Sequence, residues 1–124
     1  MNPRKILVVD DEPDVVCYLA AFLEDEGFEV LSASNGQEGL QLARDEAPDL
    51  ITLDVTMPGM SGIEVFTLLR RDPALGAIPV IIITGVAQFT RLTEHREVRP
   101  PDGFVPKPID LGALLETITR LLAS

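Results

Sequence analysis

Residues 6–11 read Ile6-Leu7-Val8-Val9-Asp10-Asp11, an unbroken apolar run that stops at two carboxylates. A half-solvated strand would alternate apolar and polar side chains, so a run without alternation suits a strand buried on both faces, as in a parallel sheet. Four mainly apolar runs follow, at 30–33, 50–53, 80–83 and, more weakly, 104–105, with Ser32 and Thr52 the only polar residues among them. The segments between them have helical period. Pro13 suits a first helical position, Val15, Val16, Leu19, Phe22 and Leu23 form one stripe, and Gly27 stops it. Asn35 with Glu38, and Ser61 with Glu64, have capping-box spacing and open helices through Leu42 and Leu69. Asp110 caps a last helix with the stripe Leu111, Leu114, Leu115, Ile118 and Leu122. Alternating β and α elements with short connections predict an α/β fold, a parallel sheet covered by helices on both faces. In such sheets ligands bind beyond the carboxyl ends of the strands.

The chain has 124 residues, a size that predicts a single domain over residues 1–124. Its composition is that of a globular domain, and no apolar stretch approaches the ~20 residues that span a bilayer. Only four apolar residues follow Met1-Asn2-Pro3-Arg4-Lys5, too few for a secretory signal. Cys17 is the only cysteine, which excludes an internal disulfide and fits a cytoplasmic location. We read Cys17 as a small packing residue of the first helix, and His95, among Glu94, Arg96 and Glu97, as solvated. The net charge of −10 is held by residues 1–62, with three basic and thirteen acidic side chains; residues 63–124 carry seven of each. Such a chain repels phosphate backbones and anionic lipid, arguing against direct nucleic-acid or membrane binding. A local acidic cluster, however, can hold a cation.

The strand ends carry that cluster. Asp10 and Asp11 follow the first run, Asp54 the third, Thr84 the fourth, and Lys107 comes just after the fifth. Parallel strands place these ends on one edge. Two carboxylates ~4 Å apart repel by about 4 kcal/mol at an effective dielectric of ~20, so the cluster calls for a cation. A small all-oxygen donor set completed by phosphate oxygens and water fits Mg²⁺. A carboxylate nucleophile can accept a phosphoryl group if metal and ammonium neutralise the transferring oxygens, and the Thr84 hydroxyl can donate to one of them.

These residues resemble the receiver domain of bacterial two-component response regulators, of the chemotaxis-regulator type. The resemblance rests on Val8-Val9-Asp10-Asp11-Glu12, on Asp54-Val55-Thr56-Met57-Pro58-Gly59-Met60-Ser61-Gly62, on Thr84-Gly85 and on Lys107-Pro108, four motifs in order at strand ends. It implies a flavodoxin-like doubly wound fold with five strands in the order 2-1-3-4-5 and five helices. It further implies Asp54 as phosphoacceptor, Asp11 and Asp54 as Mg²⁺ ligands, Asp10 acting mainly through a metal-bound water, and the Thr56 backbone carbonyl as a further ligand. Lys107 would pair with the phosphoryl group across an often cis Lys107-Pro108 peptide, and Thr84 with Phe104 would form a switch pair. The implied donor is a sensor histidine kinase or histidine phosphotransfer protein. The implied readout is a reshaped face of strand 4, helix 4, strand 5 and helix 5 that controls an output domain or downstream protein. Such a domain is a phosphoacceptor that assists its own phosphoryl transfer and dephosphorylation, not a conventional enzyme. The uncharged Thr56 and Val86 imply no special rate of dephosphorylation.

The stretch from Gly85 to Gly103 departs from the family pattern. Its apolar stripe is thin, with Phe89, Leu92 and then only Val98, and Pro100-Pro101 stops any helix. A short or irregular fourth helix is predicted there. Arg91, Arg96 and Arg99 make either a solvated face or a docking patch for an acidic partner. Two functional alternatives keep the same fold: a phosphorylation-independent interaction scaffold, and a hydrolase with an aspartyl-phosphate intermediate. The latter wants an acid/base aspartate two residues after the nucleophile, where Thr56 stands. A flavin module lacks support, since the strand-end loops are acidic where a phosphate cradle is wanted.

Overall fold

The computed structural model describes residues 3–55, 62–84 and 99–123. Its strands are β1 (Lys5–Val9), β2 (Glu29–Ala33), β3 (Leu50–Asp54), β4 (Val80–Thr84) and β5 (Gly103–Pro106). Its helices are α1 (Pro13–Asp25), α2 (Gly36–Glu46), α3 (Gly62–Arg71) and a C-terminal helix, Leu111–Leu122. The strands form one parallel sheet in the order β2-β1-β3-β4-β5. The predicted fourth helix, together with Thr56, Val86, His95, Arg91 and Arg96, lies outside the described residues. No helix among the described residues is long and apolar enough to cross a membrane.

The unbroken apolar runs are explained by two cores, one on each face of the sheet. Leu7, Val9, Ile51, Leu53, Val80 and Ile82 pack with Leu40 and Ala43 of α2 and Val65, Phe66 and Leu69 of α3. Their sequence neighbours Ile6, Val8, Leu50, Ile81 and Ile83 pack with Leu19 and Leu23 of α1 and Leu114 and Ile118 of the C-terminal helix. Each such side chain contributes roughly 1.5–3 kcal/mol on burial, so the central strands cannot slip by a residue without exchanging the two cores. Thr52 is the exception among them. It is buried between Val8 and Ile81 in the register, and its hydroxyl has no hydrogen-bond partner among the described residues.

The helix ends follow the expected chemistry with one shift. Gly27 takes a left-handed φ of 95°, and the Phe28 N–H returns to Leu23 O as α1 stops. Asn35 Oδ1 accepts from the Glu38 N–H at 2.8 Å, but the Glu38 carboxylate accepts from Ser34 N–H rather than from Asn35. Asp110 Oδ1 accepts from Ala113 N–H at 3.1 Å. Ser61 lies outside the described residues. Cys17 corrects the sequence reading: it is exposed. The inward stripe of α1 runs through Leu19 and Leu23, and at 100° per residue position 17 falls on the far side of it.

At the edge of the sheet where β4 and β5 begin, an arginine that the sequence reading did not single out ties three segments together. The Arg70 side chain, only 2% exposed, donates to Ile78 O, Arg99 O and Pro100 O and pairs with Asp102 Oδ2 at 2.8 Å. Its guanidinium also lies 4.9 Å from the centre of the Phe66 ring. Asp102 further accepts from the Val80 N–H and from Arg99, which itself donates to Gly76 O. Arg99, read as part of a charged patch, is therefore committed to this network. Burial works to raise the Asp102 pKa, but the Arg70 and Val80 hydrogen bonds and the two guanidinium charges outweigh it and hold it below the ordinary carboxylate range.

Arg70→Met should destabilise the domain by about 3 kcal/mol in urea unfolding, since it leaves buried acceptors unpaired; a loss under 1 kcal/mol would contradict the network's structural role. Because the folded-state pKa of Asp102 is depressed, its contribution is complete above the ordinary aspartate pKa and disappears as pH falls through the lower folded value. The variant lacks this contribution, so its stability deficit relative to the wild type should shrink as pH falls through that range.

Candidate functional site

β1 and β3 pair in register up to Val9 and Leu53, and the next residue on each strand is an aspartate, Asp10 and Asp54. Both follow the even-numbered positions of their strands, Ile6 and Val8, Leu50 and Thr52, so the pleat turns them toward the same face. Both are buried, at 2% and 1% exposure. The backbone behind Asp54 is closely packed. A β-carbon on Gly62, the first residue of α3, would collide with the backbone of Asp54 and Val55. Only a residue without a side chain lets the helix start so near the backbone that carries Asp54.

Lys107 follows β5 directly, and its peptide to Pro108 is cis. Its Nζ lies 3.4 Å from Asp54 Oδ2, 3.7 Å from Asp10 Oδ2 and 3.6 Å from Glu12 Oε1. One ammonium thus faces three carboxylates. Burial alone would lower the Lys107 pKa, but Asp54, Asp10 and Glu12 more than compensate and hold it above the ordinary lysine range. The Asp10 pKa is raised: burial is the largest cause, the Glu12 N–H hydrogen bond and Lys107 oppose it, and the charges of Asp54 and Glu12 add to it.

Asp11 is half-buried, and carboxylate oxygens of Asp10, Asp11 and Glu12 lie within 4.8 Å of one another. Asp10 Oδ2 is buried without a hydrogen-bond partner among the described residues. An orphaned buried oxygen among clustered carboxylates fits a hard divalent cation such as Mg²⁺, which takes oxygen ligands and keeps several waters. Asp10, Asp54 and Lys107 therefore lie together at one edge, with Asp11 beside Asp10. Thr84 closes β4 opposite Pro106, and Phe104 stands opposite Ile82, partly buried against the core beneath α2 and α3. Thr56 falls outside the described residues. Glu12 is the site residue that sequence reasoning quoted in a motif without giving it a task. Its signal was its place between the aspartate pair and Pro13.

Together the fold and the site define a class: the chain belongs to the response regulator receiver domain family, whose profile matches residues 6–119. It is thus a signalling domain of two-component systems. It is 41% identical to the protein PilH of Pseudomonas aeruginosa over 96% of this chain and 98% of that one. It is 33% identical to the polar-differentiation response regulator DivK of Brucella anthropi, covering 97% of each. Among solved structures, the chemotaxis response regulator CheY4 of Vibrio cholerae superposes with a TM-score of 0.87 at 30% identity, over 97% of this chain and 99% of that one.

Asp10→Asn should stabilise the metal-free domain at neutral pH by about 1–3 kcal/mol, the scale of repulsion between neighbouring charges at an effective dielectric of ~20. The raised pKa gives the sign: protonation of Asp10 favours the folded state, and that stability is lost as pH rises through the folded-state value. The gain over wild type should shrink as pH is lowered toward the ordinary aspartate range. Denaturant melts in chelator that show the variant less stable at pH 7 would contradict the crowding of charge at this edge.

Proposed function

We propose that this receiver domain is activated by phosphorylation on Asp54. The observation that supports this most strongly is the placement of one ammonium, Lys107, within 4 Å of two buried carboxylates, Asp54 and Asp10, beyond the ends of parallel strands. A carboxylate oxygen of Asp54 attacks the phosphorus of a phosphohistidine, the P–N bond breaks, and the imidazole leaves. Lys107 binds a phosphoryl oxygen and neutralises part of the charge gathered there. Asp10, Asp11, Asp54 and the Thr56 backbone carbonyl are the residues that would hold Mg²⁺. The bound cation supplies charge neutralisation for two anionic reactants. The donor is a sensor histidine kinase or a histidine phosphotransfer protein, and the setting is the cytoplasm.

The aspartyl phosphate carries ~1.5 to 2 negative charges where Asp54 carried one. Thr84 at the end of β4 donates to the phosphoryl group, and Phe104, partly buried two residues into β5, turns inward. The result is a shift between two packings of the face formed by β4, the following segment, β5 and the C-terminal helix, read by an output domain or downstream protein. The domain assists its own phosphoryl transfer and dephosphorylation.

With Mg²⁺ and acetyl phosphate the intact protein should gain the mass of one phosphoryl group, and Asp54→Ala should gain none. Wild type that incorporates nothing, or a variant that incorporates as much, would overturn this reading and favour a phosphorylation-independent scaffold.

A further inference from the structure

Lys107 has three acidic neighbours, and they differ in exposure. Of its three acidic neighbours, Asp54 and Asp10 are buried, whereas the Glu12 side chain is 60% exposed and stands at the solvent side of the ammonium. Glu12 is held there by its backbone. Its N–H donates to Asp10 Oδ1 at 2.9 Å, and its φ and ψ of −93° and 110° are those of the residue that precedes α1. A residue in this position commonly turns its side chain back to cap the helix, but Glu12 makes no side-chain capping bond. Its carboxylate reaches Lys107 instead, 3.6 Å away.

We propose that Glu12 is a positioning residue that holds Lys107 in the unphosphorylated domain and competes with the phosphoryl group for it. This rests on the reading of Asp54 as phosphoacceptor. Phosphorylation places more negative charge on the Asp54 side of the ammonium, and Lys107 exchanges its Glu12 contact for the new oxygens. The Lys107–Glu12 pair therefore stabilises the resting state and opposes the modified one. A half-exposed pair at this distance is weak, so the competition sets the balance by a modest factor. The contact borders a hollow of about 320 Å³ lined by Val15, Tyr18, Pro108 and Ile109, so release of Glu12 also frees one wall of it.

The test uses beryllofluoride as the phosphoryl mimic, titrated calorimetrically into the intact domain at saturating Mg²⁺. Glu12→Gln should bind it about two- to fivefold more tightly than wild type, the range set by a pair of that strength. A residue with only a structural task would loosen binding when replaced. Asp14→Asn provides the control for charge alone, since Asp14 is an exposed acid of the same helix end with no ion pair to Lys107 among the described contacts. It should leave the affinity at the wild-type value. Glu12→Gln binding at or below wild-type affinity, or Asp14→Asn tightening as much as Glu12→Gln, overturns the proposal. Wild type that does not bind beryllofluoride overturns instead the reading of Asp54, so the two failures are distinguishable.

Discussion

Two carboxylates that the register sets side by side, with a single ammonium between them, form the constraint on which the site depends. Asp10 and Asp54 are buried because they sit at the ends of strands whose preceding four residues are all buried. The same pairing that stabilises the sheet forces them together. Lys107 offsets one charge, and Asp11 and Glu12 add two more nearby. The edge is thus left with excess negative charge in a partly dry setting, the kind of setting that favours a divalent cation. The fold supplies this poise through stability elsewhere: two apolar cores lock the register, and Gly62 lets α3 start against the Asp54 backbone.

The opposite edge carries a second charged arrangement with the reverse character. Arg70 and Asp102 are complementary, surrounded by acceptors and donors that match them, and Asp102 is easily kept ionised. Nothing there asks for an outside ion. The network joins the end of α3, the start of β4 and the approach to β5, so the strand that delivers Lys107 is tied down at its beginning while its far end meets the site. One edge is electrostatically satisfied and holds position; the other carries unbalanced negative charge.

Much of this was legible in the sequence because burial on both faces leaves a plain trace. The runs at 6–9, 50–53 and 80–83 suit interior strands, and each is followed by a polar candidate site residue, Asp10, Asp54 or Thr84. The capping residues Asn35 and Asp110 were equally plain, since the geometry of a helix start is local. What could not be read depended on contacts distant in the chain. The partnership of Arg70 with Asp102 spans 32 residues. Glu12 adopts its neighbour only when β5 brings Lys107 across the sheet. Cys17 was misread because composition says cysteines are buried, whereas the phase of the α1 stripe places this one outside.

The need of Asp10 and Asp54 for a cation is tested most directly by thermal unfolding of the metal-free domain over a series of Mg²⁺ concentrations. Binding to the folded state alone raises stability by mass action, about 2.7 kcal/mol at a hundred times the dissociation constant. The melting temperature should climb with Mg²⁺ through the millimolar range and stay level when both aspartates are replaced by asparagine. A wild-type melting temperature that does not move at millimolar Mg²⁺ would contradict the cation requirement at this edge.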